Sequence, residues 1–475
     1  MEELLNKSPA RSVFRFFLEI SEIPRGSGNT APIADYLVNF AKERGLYVRR
    51  DSADNVIIRK AATEGYERRP TVIFQGHTDI VAEKLQTLDK DMTREGVEVY
   101  RDGDFLRARG TTLGGDDGVA LAYALAVLDS TDIPHPEFEA IFTSDEEVGL
   151  LGAVALDTSD IRGRMMINID SDDEGVFTVG CAGGMRVDLS LSTKREACEG
   201  TRYKITVSGL LGGHSGVEID RGRENAIKIL GETLGSLGDK IRLISLSGGN
   251  ADNAIPRECE ATVVASTPIN NDELSLIESI KNTYIKTEND IMITVCECNG
   301  DVLALDEEST RAAVSLITSE PSGVIAMSED IPGLVETSLN MGIARLTEGE
   351  LSLSFSIRSA KAAEKAALGE RVRAIAAKHG AASSEHGSYP AWEYRKVSPL
   401  RDTMCRVYEK MYGKAPTVVT IHAGLECGIF SDKIEGLDCV SIGPDNFDIH
   451  TTEEHLSISS TERVWDYLKE VLKNI

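Results

Sequence analysis

Four short, almost wholly apolar runs constrain the first 170 residues: 55–60 (NVIIRK), 71–76 (TVIFQG), 138–144 (FEAIFTS) and 164–170 (RMMINID). Two stretches of helical spacing, SVFRFFLEI and APIADYLVNFAKERG, precede the first run. A third, GVALAYALAVLD, lies between the second and third runs and is apolar all round. Strands apolar on both faces need cover on both faces, and helices alternating with them supply it. The pattern predicts an α/β fold: a mixed, mostly parallel sheet flanked by helices.

The texture changes near Gly183-Gly184. From about residue 186 the strand-like runs alternate between apolar and polar, as in YKITVSG, IRLISLSG, EATVVAST, MITVCECN and LSLSFSIRS. Alternation means one face in water, the mark of an antiparallel sheet. Helical patterns such as RENAIKILGETLGSL and AEKAALGERVRAIAAKHG are interspersed. After Tyr389-Pro390 the first texture returns, with MCRVYEKMYG, TVVTIH, CVSIGP and TERVWDYLKEVL. The expected organisation is one domain built from residues 1–185 and 395–475, interrupted by a large α+β domain at 186–394. A chain of 475 residues has the length for more than one core.

The formal net charge of −26 argues against a nucleic-acid or anionic-membrane surface, since both need clustered Lys and Arg. The acidic surplus is either a solvated coat or includes carboxylates gathered to bind metal. The eight cysteines are scattered without C-x-x-C spacing, which reads as reduced thiols. The N-terminal residues lack the pattern of a signal peptide, and no run approaches ~18 apolar residues. A cytoplasmic protein is expected.

The informative acids and histidines fall at the ends of the apolar runs. TVIFQGHTDIV delivers His77 and Asp79 at a strand's carboxyl end, where open α/β sheets bind ligands. RGTTLGGDDGVALAYALAVL places Asp116-Asp117 at the mouth of the apolar helix. One Asp suffices as an N-cap, so cap and ligand readings both stand. FEAIFTSDEEVGLLGA ends in Asp145-Glu146-Glu147, three carboxylates that repel unless solvated or neutralised by a cation. MMINIDSDDEG sets Asp170 directly after a strand, and GPDNFDIHTTEEH sets His450 after a Gly-Pro turn.

Each motif alone has a structural explanation, but the set describes a cation site. Two histidines with several carboxylates suit zinc, with manganese or cobalt also compatible. The donors are too rich in nitrogen for calcium and too numerous for magnesium. Five donors fit two ions, ~3.5–4 Å apart and sharing a carboxylate, better than one.

The ordered series HTD, LGGDDG, DEEVG, NIDSDDEG, GCAGG, GLLGGHSG, NAIPRE, IRS, HAGLECG and the late His450 resembles the peptidase D type of Xaa-His dipeptidase. These are aminoacyl-histidine, or bacterial carnosinase-like, dipeptidases of the dizinc aminoacylase and carboxypeptidase superfamily. The resemblance runs from about Phe16 to the C-terminus. It implies a zinc-exopeptidase-like catalytic domain and an inserted lid and dimerisation domain, hence a homodimer.

By the same resemblance, His77, Asp116 and Asp170 hold one zinc. Asp116, Glu147 and His450 hold the other, with Asp116 bridging and followed by a cis peptide bond. Asp79 orients His77, and Glu146 is the general base. On the lid, His214 donates to the oxyanion, while Asn253 and Arg358 grip the substrate's backbone and terminal carboxylate, which a guanidinium binds in bidentate fashion. His422 and Glu426 shape the pocket. Two positions depart from the family pattern: Asp117 replaces the usual Asn, and Asp145 a frequent Thr.

The expected activity is hydrolysis of small peptides, Xaa-His dipeptides among them, by metal-activated water with Glu146 moving the proton. A related N-acyl amino-acid amidohydrolase or tripeptidase is the alternative within the superfamily. A two-metal phosphoesterase would need basic residues beside the metals, and a non-catalytic metal-binding protein would not need Glu146.

Overall fold

The computed structural model describes residues 6–299, 303–329, 331 and 333–475. The chain divides into two compact units. One comprises the described residues up to Gly180 together with Tyr394–Thr420 and Leu425–Ile475; the other comprises Cys181–Glu393 and Ile421–Gly424.

The first unit is built on an eight-stranded sheet in the order Tyr47–Arg50, Val56–Lys60, Phe138–Thr143, Val72–His77, Met165–Asn168, Asp438–Ser441, Val176–Cys181, Thr417–Ile421. Its centre is parallel: Val72–His77 runs with Phe138–Thr143 on one side and Met165–Asn168 on the other, and Asp438–Ser441 follows in the same sense. Strand Val56–Lys60 lies antiparallel to Phe138–Thr143, so the sheet is mixed. Every residue of Val72–His77 and Phe138–Thr143 is buried, as expected for strands covered on both faces.

The cover on one face is the helix Gly115–Asp129, whose residues from Asp117 to Leu128 are all buried. It packs against both Val72–His77 and the helix Arg11–Ser21, which explains why its sequence is apolar all round. Arg11–Ser21 in turn buries Val13, Phe14, Phe16, Phe17 and Ile20. Each such side chain contributes about 1.5–3 kcal/mol over an exposed position.

Register decides where the functional turns emerge. His77 pairs with Thr143, and Gln75 with Asn168. The HTD turn, the Asp145-Glu146-Glu147 turn and Asp170 therefore all leave the sheet at one carboxyl edge. A smaller four-stranded sheet, in the order Asn446–Phe447, His455–Ser457, Phe105–Ala108, Val99–Asp102, frames the segment that contains His450.

The second unit carries a nine-stranded antiparallel sheet, running from Met292–Glu297 at one edge to Ala382–Tyr389 at the other. Alternating burial along Gly183–Ser192 and Glu350–Ser359 gives it the one wet face that its sequence announced. Strand Val335–Leu346 and the helices Asn271–Tyr284 and Glu307–Ser319 were not among the expected elements. Residues 421–424, expected with the first domain, group with the second unit instead. Local bonds explain this: Ala182 donates its N–H to the Ile421 carbonyl, and His422 Nε2 lies 2.7 Å from Ser338 Oγ. Among the described residues no helix is long and apolar enough to cross a membrane.

Candidate metal centre and substrate-contact residues

Asp116 stands at the middle of the first unit's polar cluster. Its Oδ1 is 3.0 Å from His77 Nε2, and its Oδ2 is 3.1 Å from His450 Nε2. His77 Nε2 also lies 3.8 Å from Asp170 Oδ1, and His450 Nε2 lies 2.9 Å from Glu147 Oε1. Two triads thus share Asp116: His77–Asp116–Asp170 and Asp116–Glu147–His450, each with donor atoms within 4.8 Å of one another. A third grouping of the same kind joins His77, Glu146 and Glu147. The peptide bond between Asp116 and Asp117 is cis.

The two unusual acids have local partners. Asp117 is 1% exposed, and its Oδ2 accepts the His77 backbone N–H at 3.1 Å. Burial holds it well above the usual carboxylate range. Asp145 turns aside to accept the Gly28 backbone N–H at 2.6 Å.

Asp79 has its own anchoring role in this turn. Its backbone carbonyl is 3.1 Å from His77 Nδ1, with the carboxylate at 3.5 Å. Glu426, the first residue of helix Glu426–Lys433, accepts from Gln75 Nε2 at 2.5 Å and Thr143 Oγ1 at 2.7 Å. It is fully buried and belongs to none of the three metal groupings.

The second unit gathers the other candidates. Strand Gly213–His214 pairs with Ala254–Ile255, setting His214 opposite Ala254, while Ser215 N–H donates to the Asn253 carbonyl at 2.8 Å. A Cβ at Gly216 would meet the His422 carbonyl at 2.7 Å and His214 Cε1 at 2.9 Å, so this close approach requires glycine. Arg358 pairs across the sheet with Ser338, the residue that holds His422. Arg358 Nη1 donates to Tyr389 Oη at 3.1 Å. Arg358 Nε and Ser215 Oγ are buried without a hydrogen-bond partner, which is costly unless a ligand supplies one. Burial, then Arg358, holds His422 down to about 4, so it is neutral near pH 7. Burial and Arg358 also lower His214. His422 and Glu426, expected together, belong to different units.

The sequence profile of peptidase family M20/M25/M40 matches residues 73–474. The chain belongs to this family. It is a metal-dependent peptide hydrolase of mixed α/β fold. The cytosol non-specific dipeptidase of Escherichia coli (strain K12) is 36% identical over 487 aligned residues, covering 100% of this chain and 99% of that protein. The crystal structure of aminoacylhistidine dipeptidase from Vibrio alginolyticus superposes with a TM-score of 0.94 at 35% identity, covering 100% of this chain and 99% of that one. A Staphylococcus aureus tripeptidase shares the fold, with a TM-score of 0.57 at 17% identity and 98% of each chain covered.

The residues present in this M20 peptidase fit a metal pair. Two imidazoles and three carboxylates meet in the two triads, a donor set that suits a cation of zinc type. Glu147 Oε1 is buried without a hydrogen-bond partner other than this cluster. Burial opposes charge on His77, but bonds to Asp116 and Asp79 outweigh it and hold the imidazole well above its ordinary range. Bonds to Asp116 and Glu147 push His450 up to about 10. Burial pushes Glu146 up to about 8, with His77 opposing and Glu426, Glu147 and Asp116 adding.

Three supporting residues escaped the sequence reading. Arg25, 2% exposed, donates to the carbonyls of Thr78 and Gly114 at 2.9 and 2.8 Å, tying the turn after His77 to the loop before Asp116. Gln75 receives the Asn168 amide N–H at 2.6 Å beneath the same edge. Tyr389 braces Arg358. No periodicity marks any of them. Only the position of Arg25 between proline and glycine in IPRGSG hinted at a fixed turn.

Proposed function

We propose that the chain is a dizinc dipeptidase that hydrolyses Xaa-His and other dipeptides. The observation that carries this reading is the bridging position of Asp116, with one carboxylate oxygen at His77 Nε2 and the other at His450 Nε2. The names of the Escherichia coli and Vibrio alginolyticus relatives support dipeptides as substrates, and the former supports a cytoplasmic location. Zinc is favoured over manganese or cobalt by the two imidazole donors. The same reading takes the enzyme to be a homodimer, which light scattering of the purified protein checks.

A bound cation pair would acidify water and polarise the scissile carbonyl. In this reading His77, Asp116 and Asp170 hold one ion, and Asp116, Glu147 and His450 the other. Glu146 takes the proton of the attacking water and returns it to the leaving amine. Burial pushes Glu146 up to about 8, which gives it the basicity for that exchange, and the positive charge of bound cations would lower it toward the working range. Asp79 anchors the turn bearing Glu146.

On the second unit, His214 is assigned the donor to the oxyanion. Arg358, whose buried Nε lacks a partner, is assigned the substrate carboxylate. Asn253 is assigned a grip on the substrate backbone, and His422 a place in the pocket wall. Glu426 would set the pocket floor through Gln75 and Thr143. This unit would act as the lid.

The test is metal analysis paired with a panel of Xaa-His and other dipeptides, tripeptides and N-acetyl amino acids. Two equivalents of zinc and turnover concentrated on dipeptides are expected. Faster cleavage of tripeptides or N-acetyl amino acids would move the chain to the neighbouring activity.

A further inference from the structure

Glu454 follows His450 by four residues and is 3% exposed. Its carboxylate accepts four consecutive backbone N–H groups. Leu113 and Gly114 donate to Oε2 at 2.8 and 2.9 Å, and Gly115 and Asp116 donate to Oε1 at 2.8 and 3.3 Å. Successive N–H groups converge on one anion only where the chain coils tightly, and Gly114 has φ 72°. Side chains are excluded there. A Cβ at Gly114 would meet Ile80 Cγ2 at 2.8 Å and Arg25 Nη2 at 2.9 Å, and one at Gly115 would meet the Asn446 amide at 2.9 Å. Arg25 Nη2 donates to the Gly114 carbonyl at 2.8 Å.

The clamp is more than a helix start needs, since one side-chain acceptor caps a helix. What it adds is a fixed relation between two loops. The segment that supplies Glu454 also presents His450 Nε2 to Asp116 Oδ2 at 3.1 Å and to Glu147 Oε1 at 2.9 Å. His77, by contrast, ends the strand Val72–His77, and Asp170 follows Met165–Asn168 by two residues; these strands pair in parallel, and the four Glu454 bonds go to Leu113–Asp116 and to neither residue.

We infer that Glu454 is a positioning residue that fixes the backbone beneath Asp116 relative to His450. It thereby governs the cation position made by Asp116, Glu147 and His450 more than the one made by His77, Asp116 and Asp170. This rests on the two-cation reading above.

The test titrates metal-free protein with Zn2+ against a chromogenic chelator. Glu454→Gln keeps the size of the side chain but turns an NH2 group toward two of the four N–H donors. Glu454→Asp keeps the charge at shorter reach and is the rescue variant. Wild type is expected to bind two ions. Glu454→Gln is expected to hold one within about threefold of wild-type affinity and the other ~10–100-fold more weakly, with Glu454→Asp between them. Adding Glu454→Gln to His450→Ala should cost little further affinity, because both act on one position. In Glu454→Gln, kcat should recover in excess Zn2+ with KM near wild type.

Equal weakening of both ions, or an unchanged titration in both variants, would overturn the inference alone. Wild type that binds fewer than two ions would overturn the two-cation reading and this inference with it.

Discussion

Asp79 Oδ1 accepts the backbone N–H of Glu146 at 3.0 Å. Oδ2 accepts Ser27 Oγ at 2.8 Å and the Glu147 N–H at 3.3 Å. The carboxylate therefore fixes the turn that aims Glu146 and Glu147, while the Asp79 backbone carbonyl serves the His77 imidazole. Asp79→Asn turns an amide NH2 toward one of these donors. We expect kcat to fall ~10–100-fold with bound metal retained, measured by steady-state kinetics and metal analysis. Loss of metal, with full activity restored by excess metal, would contradict this division of labour.

Glu146→Gln removes the proton carrier and keeps the volume. The expected outcome is a loss of ~10²–10⁴-fold in kcat with both ions still bound. Turnover within a few-fold of wild type would rule out the assignment of Glu146 as base.

The metal-free chain should lose stability as pH rises. Glu146 is pushed up to about 8 from 4.5, and burial raises Asp170 well above the carboxylate range. Between about pH 4.5 and 8 Glu146 keeps a proton that the unfolded chain has released, and the raised Asp170 acts in the same sense, so stability falls with rising pH. His450, pushed up to about 10 from 6.5, acts in the same sense between those values. Denaturant melts of chelator-treated protein should show a fall of at least about 2 kcal/mol from pH 5 to pH 8, and added zinc should reduce it. A metal-free chain more stable at pH 8 than at pH 5 would contradict the clustering.

Arg358→Met removes a guanidinium that lies beside Tyr389 and has a buried, partnerless Nε. A charged hydrogen bond is worth ~1.5–3 kcal/mol, so KM for dipeptides with a free carboxylate should rise ~10–100-fold while kcat changes less. Dipeptide amides should barely respond. Equal losses on acids and amides would remove the carboxylate assignment.

Gly76→Ala tests the packing beneath the centre. A Cβ there would fall 2.4 Å from both Ala120 Cβ and Asp117 Oδ2. Overpacking of this kind costs about 1–3 kcal/mol, and thermal unfolding of the metal-loaded protein should show it. An unchanged melting temperature would mean that the helix Gly115–Asp129 can yield.

The apolar runs and their polar endings made the first unit's strands and its candidate donors legible. A strand buried on both faces leaves little choice of neighbours, and a His or Asp at its carboxyl end has to emerge at the sheet edge. Alternation likewise exposed much of the second sheet. Strand Val335–Leu346 escaped because it is buried along most of its length and so shows no period of two.

The sequence by itself determined the kinds of layer, the candidate donor residues and the motif order that resembles the peptidase D type. Tertiary structure decided which donors share Asp116, because that depends on the register of Val72–His77 between its two parallel neighbours. It also decided that Glu454 and Arg25 both bond to the backbone of the Asp116 loop. Those bonds join residues more than 300 and nearly 90 positions distant in the chain, and a local pattern carries no trace of a partner brought near only by folding.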